Sequence, residues 1–158
     1  MTAQPALTYA RPVELLLVED NDGDVLLTRE TLRGAKITNT LSVATDGEEA
    51  LSRLKGWAPF EGHPRPDVVL LDLNLPRMDG RELLKAIRAD PELRSIPVIV
   101  LTGSDSDIEM LAVRRLSADG FIVKPIDFER LTSALSAIPT FGFSLVVLPP
   151  KPKGRARG

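Results

Sequence analysis

The chain has 158 residues, 43% of them hydrophobic, with 20 Lys and Arg against 22 Asp and Glu and no Cys. That length and apolar content suit one domain with a core of its own and leave little for a second. The net charge of −2 gives no bulk attraction to nucleic acid, the lack of Cys removes disulfide, thiolate and Cys-zinc chemistry, and no apolar run approaches the ~20 residues of a membrane span.

Residues 1–12 lack the apolar stretch of an export signal and are expected to be a flexible lead in a cytoplasmic protein. Residues 13–18 form a short, nearly continuous apolar run that stops at Glu19, Asp20, Asn21 and Asp22. That predicts a buried parallel strand running into an acidic turn. Asn21 and Asp22 can cap a helix in which Val25, Leu26 and Leu32 fall at helical spacing, with Gly34 as its stop signal. The same alternation predicts strands over 37–44, 68–71, 98–101 and 121–123 and helices over 47–55, 81–89, 108–116 and 128–138. Five strands alternating with five helices imply an α/β fold of the flavodoxin-like, doubly wound (βα)5 class, with a five-stranded parallel sheet covered on both faces. Ligands of such sheets sit at the carboxyl ends of the strands.

Two segments stand outside the repeat. Residues 56–66 are a long Pro- and Gly-rich excursion, in which Trp57 and Phe60 either cover the core edge, the favoured reading, or form part of a partner surface, and His63 is expected to be a solvated loop residue. Residues 141–150 are apolar, strand-like and closed by Pro149 and Pro150, which predicts an edge strand or an arm that packs on a second subunit. Residues 151–158 carry four cations and are expected to be a disordered basic tail. The domain itself is expected over 13–140.

Projected onto strand ends, the polar residues make one set: Glu19 and Asp20 after the first strand, Asp72 at the third, Thr102 at the fourth and Lys124 at the fifth. Three carboxylates at one sheet edge repel unless a cation joins them. Magnesium suits them because it takes oxygen ligands and is held by one or two carboxylates plus phosphate oxygens. A fixed carboxylate at Asp72 can attack a phosphoryl donor to give an acyl phosphate. The charge that develops on the transferred oxygens then calls for the metal, the Lys124 ammonium, the Thr102 hydroxyl and the backbone after Asn74 and Gly103. Capping explains Asp22, and turn and cap duties explain Asp79 and Gly80, but capping does not explain the set.

Val18-Glu19-Asp20-Asn21, Leu71-Asp72-Leu73-Asn74-Leu75-Pro76-Arg77-Met78-Asp79-Gly80, Leu101-Thr102-Gly103 and Gly120-Phe121-Ile122-Val123-Lys124-Pro125 resemble the receiver domain of bacterial two-component response regulators, over roughly residues 12–140. The resemblance implies that Asp72 is the phosphoacceptor, that Asp20, Asp72 and the Asn74 backbone carbonyl ligate Mg2+, and that Glu19 reaches the metal through water. It further implies Thr102 as the switch hydroxyl, Lys124 as the phosphate-binding ammonium, Phe121 at the aromatic switch position without a phenol, and a cis Lys124–Pro125 bond. A receiver is not a metabolic enzyme; it catalyses its own Mg-dependent phosphorylation and dephosphorylation.

With 18 residues after 140, the expectation is a single-domain regulator. Its donor would be a sensor histidine kinase, and its output would pass through contact with an unknown downstream protein rather than with nucleic acid or membrane. The opening through Asp24-Val25, the long loop and the carboxyl extension are similar to the group paired with bacterial phytochrome kinases, on which ground a homodimer is expected. Two rivals are weighed: a haloacid dehalogenase-like phosphatase, which would want an acid where Asn74 stands, and a pseudo-receiver that binds partners without phosphorylation.

Overall fold

The computed structural model describes residues 12–34, 39–103 and 118–138. Within them run β1 (Val13–Val18), α1 (Asp22–Gly34), β2 (Asn39–Ala44), α2 (Gly47–Lys55), β3 (Val68–Asp72), α3 (Gly80–Ala89), β4 (Val98–Thr102), β5 (Gly120–Val123) and α4 (Phe128–Ser136). All strand pairs are parallel, in the order β2-β1-β3-β4-β5. This is the expected flavodoxin-like α/β fold. The helix expected over 108–116, the extension over 141–150 and the two chain ends fall outside the described residues. Among the described residues no helix is long and apolar enough to cross a membrane.

β3 and β4 are buried along their whole length, because helices cover both sheet faces. On one face Leu16, Val18, Val69, Leu71, Val98 and Val100 pack with Leu83, Leu84 and Ile87 of α3. On the other, Leu15, Leu17, Leu70, Leu101 and Ile122 meet Leu32 of α1 and Leu131 and Leu135 of α4. The strand alternation therefore assigns each end residue to a face. Glu19, Asp72 and Lys124 continue the parity of Leu17, Leu70 and Ile122 toward α1 and α4. Thr102 continues that of Val98 and Val100, the face against which Phe121 packs.

β3 includes Asp72 because its backbone still pairs with Leu101. α4 ends at Ser136, two residues before the expected stop, and Ile138 closes the turn as a buried residue. In the 56–66 loop Trp57 is 52% exposed, so it does not cover the core as expected. Instead Phe60 lies under the Arg53 guanidinium at 4.4 Å and meets the exposed His63 ring edge-on at 5.4 Å.

A second set of interactions fixes the loops around β3. Asp46 caps α2 by accepting from Glu49 N at 2.8 Å and takes Arg77 Nη2 at 2.7 Å. The bond from the Glu49 amide, helped by Arg77, holds the Asp46 carboxyl below its usual range. Asp46→Ala is expected to cost about 1–2 kcal/mol for the lost cap. Arg77→Ala, on a side chain 66% exposed, is expected to cost less than the lost cap, because water screens an exposed ion pair. Urea titrations of the two variants check the order.

Candidate functional site

The strand order reverses direction beside β1 and β3, which is where an open α/β sheet forms its crevice. Val18 pairs with Leu71, so Glu19 and Asp72 leave the sheet side by side. Asp72 pairs with Leu101 and Thr102 with Val123, which carries Thr102 and Lys124 to the same edge. Glu19, Asp72 and Thr102 are buried, and Asp20 is exposed.

Lys124 Nζ is the hub. It lies 2.8 Å from Glu19 Oε1, 2.8 Å from Asp24 Oδ2 and 3.1 Å from Asp72 Oδ2. The bonds to Asp24 and Asp72 are aligned for hydrogen bonding, whereas Glu19 Oε1 accepts no aligned hydrogen bond although it is buried. Lys124 N donates to Thr102 O at 2.8 Å, which anchors the backbone from which the ammonium extends, and the Lys124–Pro125 bond is cis, as expected. The second Asp72 oxygen accepts from Asn74 N at 3.0 Å, and Asn21 N donates to Glu19 Oε2 at 3.2 Å. Asp79 caps α3 through a full capping box with Glu82, which agrees with the structural duty expected of it.

Carboxylate oxygens of Glu19, Asp20 and Asp72 all lie within 4.8 Å of one another. An oxygen-only donor set of this kind, with a buried Glu19 oxygen that lacks an aligned donor, fits a hard divalent cation and offers nothing to a soft one. Electrostatics agree. Burial, against the pull of Lys124 and with the push of Asp72, raises the Glu19 carboxyl from 4.5 to about 7. Burial alone would lower the Lys124 ammonium, but the carboxylates of Asp24, Glu19 and Asp72 around it outweigh that and leave it raised.

For a carboxyl whose folded value is raised, the stability it lends is complete below the unfolded value and disappears as pH climbs through the folded one. Metal-free protein is therefore expected to lose about 2–3 kcal/mol between pH 4.5 and about 7 from Glu19. Glu19→Gln is expected to flatten that slope, measured by urea unfolding in chelator at several pH values.

Glu19, Asp20, Asp72 and Lys124 thus share one cleft, and Thr102 stands at the same sheet edge on the parity of the opposite face. Asp24 joins the cleft unforeseen. It stands in the first turn of α1, where an acid reads as a partner for the helix dipole, and the one signal that could have found it is its closeness in sequence to Glu19 and Asp20. Phe121 is partly buried against the opposite face from Lys124.

Comparison with known proteins gives the same picture. The response regulator receiver domain family matches residues 15–136. Response regulator Rcp1 of Synechocystis sp. is 37% identical over 138 residues, which make up 87% of this chain and 94% of Rcp1. The bacteriophytochrome response regulator AtBRR superposes with a TM-score of 0.77 at 36% identity, covering 84% of this chain and 96% of that one. The Mn(2+)-bound form of Rcp1 gives 0.71 at 37% identity over 87% of this chain and 99% of that one. With its sheet order, its acidic cleft and this match in agreement, the chain belongs to the response regulator receiver family.

Proposed function

We propose that Asp72 is the phosphoacceptor, that Mg2+ is held by Asp20, Asp72 and the Asn74 carbonyl with Glu19 acting through water, and that the donor is the phosphohistidine of a sensor kinase, of the phytochrome type. The observation that carries this reading is the contact between buried Asp72 and Lys124 at 3.1 Å, beside two further carboxylates at the end of an apolar strand. Similarity to bacteriophytochrome response regulators supports the kinase type.

In the step itself, an Asp72 oxygen forms the new P–O bond as the P–N bond to the donor imidazole breaks, and the electron pair leaves with the imidazole. The bound cation supplies charge neutralisation for the transferred oxygens. Asn74 N and Lys124 fix Asp72 for attack and keep it from rotating. Lys124 then meets the added charge, and the Thr102 hydroxyl donates to a phosphoryl oxygen. Loading Asp72 replaces one negative charge with a larger, more negative group, so Thr102 is drawn inward and Phe121 fills the space it leaves. Structures with and without a phosphoryl mimic test that switch; two unmoved side chains would refute it.

The phosphatase reading is disfavoured because Asn74 stands where a proton donor is wanted and its amide instead holds Asp72. With a small acyl phosphate and magnesium the protein is expected to take up one label that hydroxylamine removes. Steady turnover of a generic phosphate ester without a labelled protein would favour the phosphatase instead.

A further inference from the structure

The contact between Asp24 and Lys124 has no part in the proposed phosphoryl transfer, yet it joins residues 100 positions apart at 2.8 Å. Asp24 is firmly placed: its N–H donates to Asn21 Oδ1 at 2.8 Å and its carbonyl accepts from Thr28 Oγ1 at 2.8 Å. The turn of α1 that carries its carboxylate is thereby fixed at one wall of the cleft. A lysine ammonium has three N–H donors. Asp24 and Asp72 accept two of them, and Glu19 Oε1 stands 2.8 Å from the same nitrogen. A phosphoryl group arriving on Asp72 therefore meets an ammonium already neutralised from the α1 side, and Asp24 adds a negative charge that repels the incoming oxygens.

Resting on the phosphoacceptor reading above, we propose that Asp24 is a positioning residue that restrains Lys124. It holds the ammonium toward α1 while Asp72 is free and yields it when Asp72 is loaded, and so it slows loading and ties the position of α1 to the state of the site. Replacing its side chain leaves both of its backbone bonds in place, so α1 keeps its cap.

The test uses the full chain at saturating magnesium. Initial loading by acetyl phosphate and half-saturation by beryllofluoride are measured for the wild type, Asp24→Asn, Asp24→Ala and Asp24→Glu. The Asn and Ala variants are expected to load about 3- to 10-fold faster and to saturate at correspondingly lower beryllofluoride. Asp24→Glu, which restores the charge, is expected to return to the slow loading of the wild type. The 19F resonance of the beryllofluoride fluorine facing Lys124 is expected to move in Asp24→Asn, a signature that a purely structural role would not produce. Asn and Ala variants that load at the wild-type rate or slower, or a Glu variant as fast as Asn, would overturn the restraint. A wild-type protein that takes up no label would instead sink the phosphoacceptor reading beneath it.

Discussion

Lys124→Met is expected to slow loading of Asp72 by about 10²-fold or more, the usual scale for removing one preorganised donor from the charge that develops in a transition state. The variant keeps the aliphatic stem and removes only the cation that Glu19, Asp24 and Asp72 surround at 2.8, 2.8 and 3.1 Å. Its stability should depend on pH in a specific way. With Lys124 present, burial already raises Glu19 from 4.5 to about 7, and Lys124 is the group that opposes the rise. Without it the carboxyl titrates higher still. At pH 5 Glu19 is protonated in the folded protein, so the part of the loss that comes from Glu19 is absent there and only the contacts with Asp24 and Asp72 are given up. At pH 8 the folded protein must either hold an unpaired buried charge or bind a proton from a basic solution, and the loss reaches about 3 kcal/mol or more. Urea unfolding of both proteins in chelator at the two pH values, together with loading rates measured at saturating magnesium, reads out both halves of the expectation. Equal loading rates would remove Lys124 from the chemistry, and a loss independent of pH would remove Glu19 from the coupling.

Gly80→Ala is the second large effect. A Cβ at Gly80 would overlap the backbone oxygen of Asp72 and lie 2.6 Å from Leu73 Cα. Both obstacles are backbone, and Gly80 N already donates to Leu73 O at 3.0 Å, so neither side has a rotamer that could give way. The first turn of α3 would have to back off from the exit of β3, at a cost of about 3 kcal/mol or more. Asp72 would move with that exit, so loading should fall even in the fraction that stays folded. Gly34→Ala is the control, since a Cβ there meets nothing within 4 Å. Thermal unfolding of the two variants, with loading measured on each, separates packing at this contact from a general effect of losing a glycine.

The sheet was legible because its signal is local. Val68–Asp72 and Val98–Thr102 are apolar runs too short for helices, and both are buried on both faces. Once they are read as parallel strands, topology alone brings Glu19, Asp72, Thr102 and Lys124 to one edge. The partners of those residues were harder to see. Asp24 reaches Lys124 across 100 positions, and neither residue announces the other, since an acid in a first helical turn already has a local explanation. The closeness of Gly80 to Asp72 was hidden for the same reason: a glycine after Asp79 reads as turn chemistry, and only the packed backbone reveals that the space for a side chain is taken. Trp57 failed in the opposite direction. An aromatic in a long loop reads as core cover, but both sheet faces are already closed by α1, α2, α3 and α4, so the ring stays half in water.

The expectations for loading depend on Asp72 being the group that is loaded. The most direct measurement is the intact mass of the wild type and of Asp72→Asn after incubation with acetyl phosphate, each with magnesium and with chelator. The account predicts the added mass of one phosphoryl group on the wild type in magnesium only, and none on Asp72→Asn under any condition. An adduct of the same size and magnesium dependence on Asp72→Asn, or an unmodified wild type under conditions that load another receiver, would contradict it.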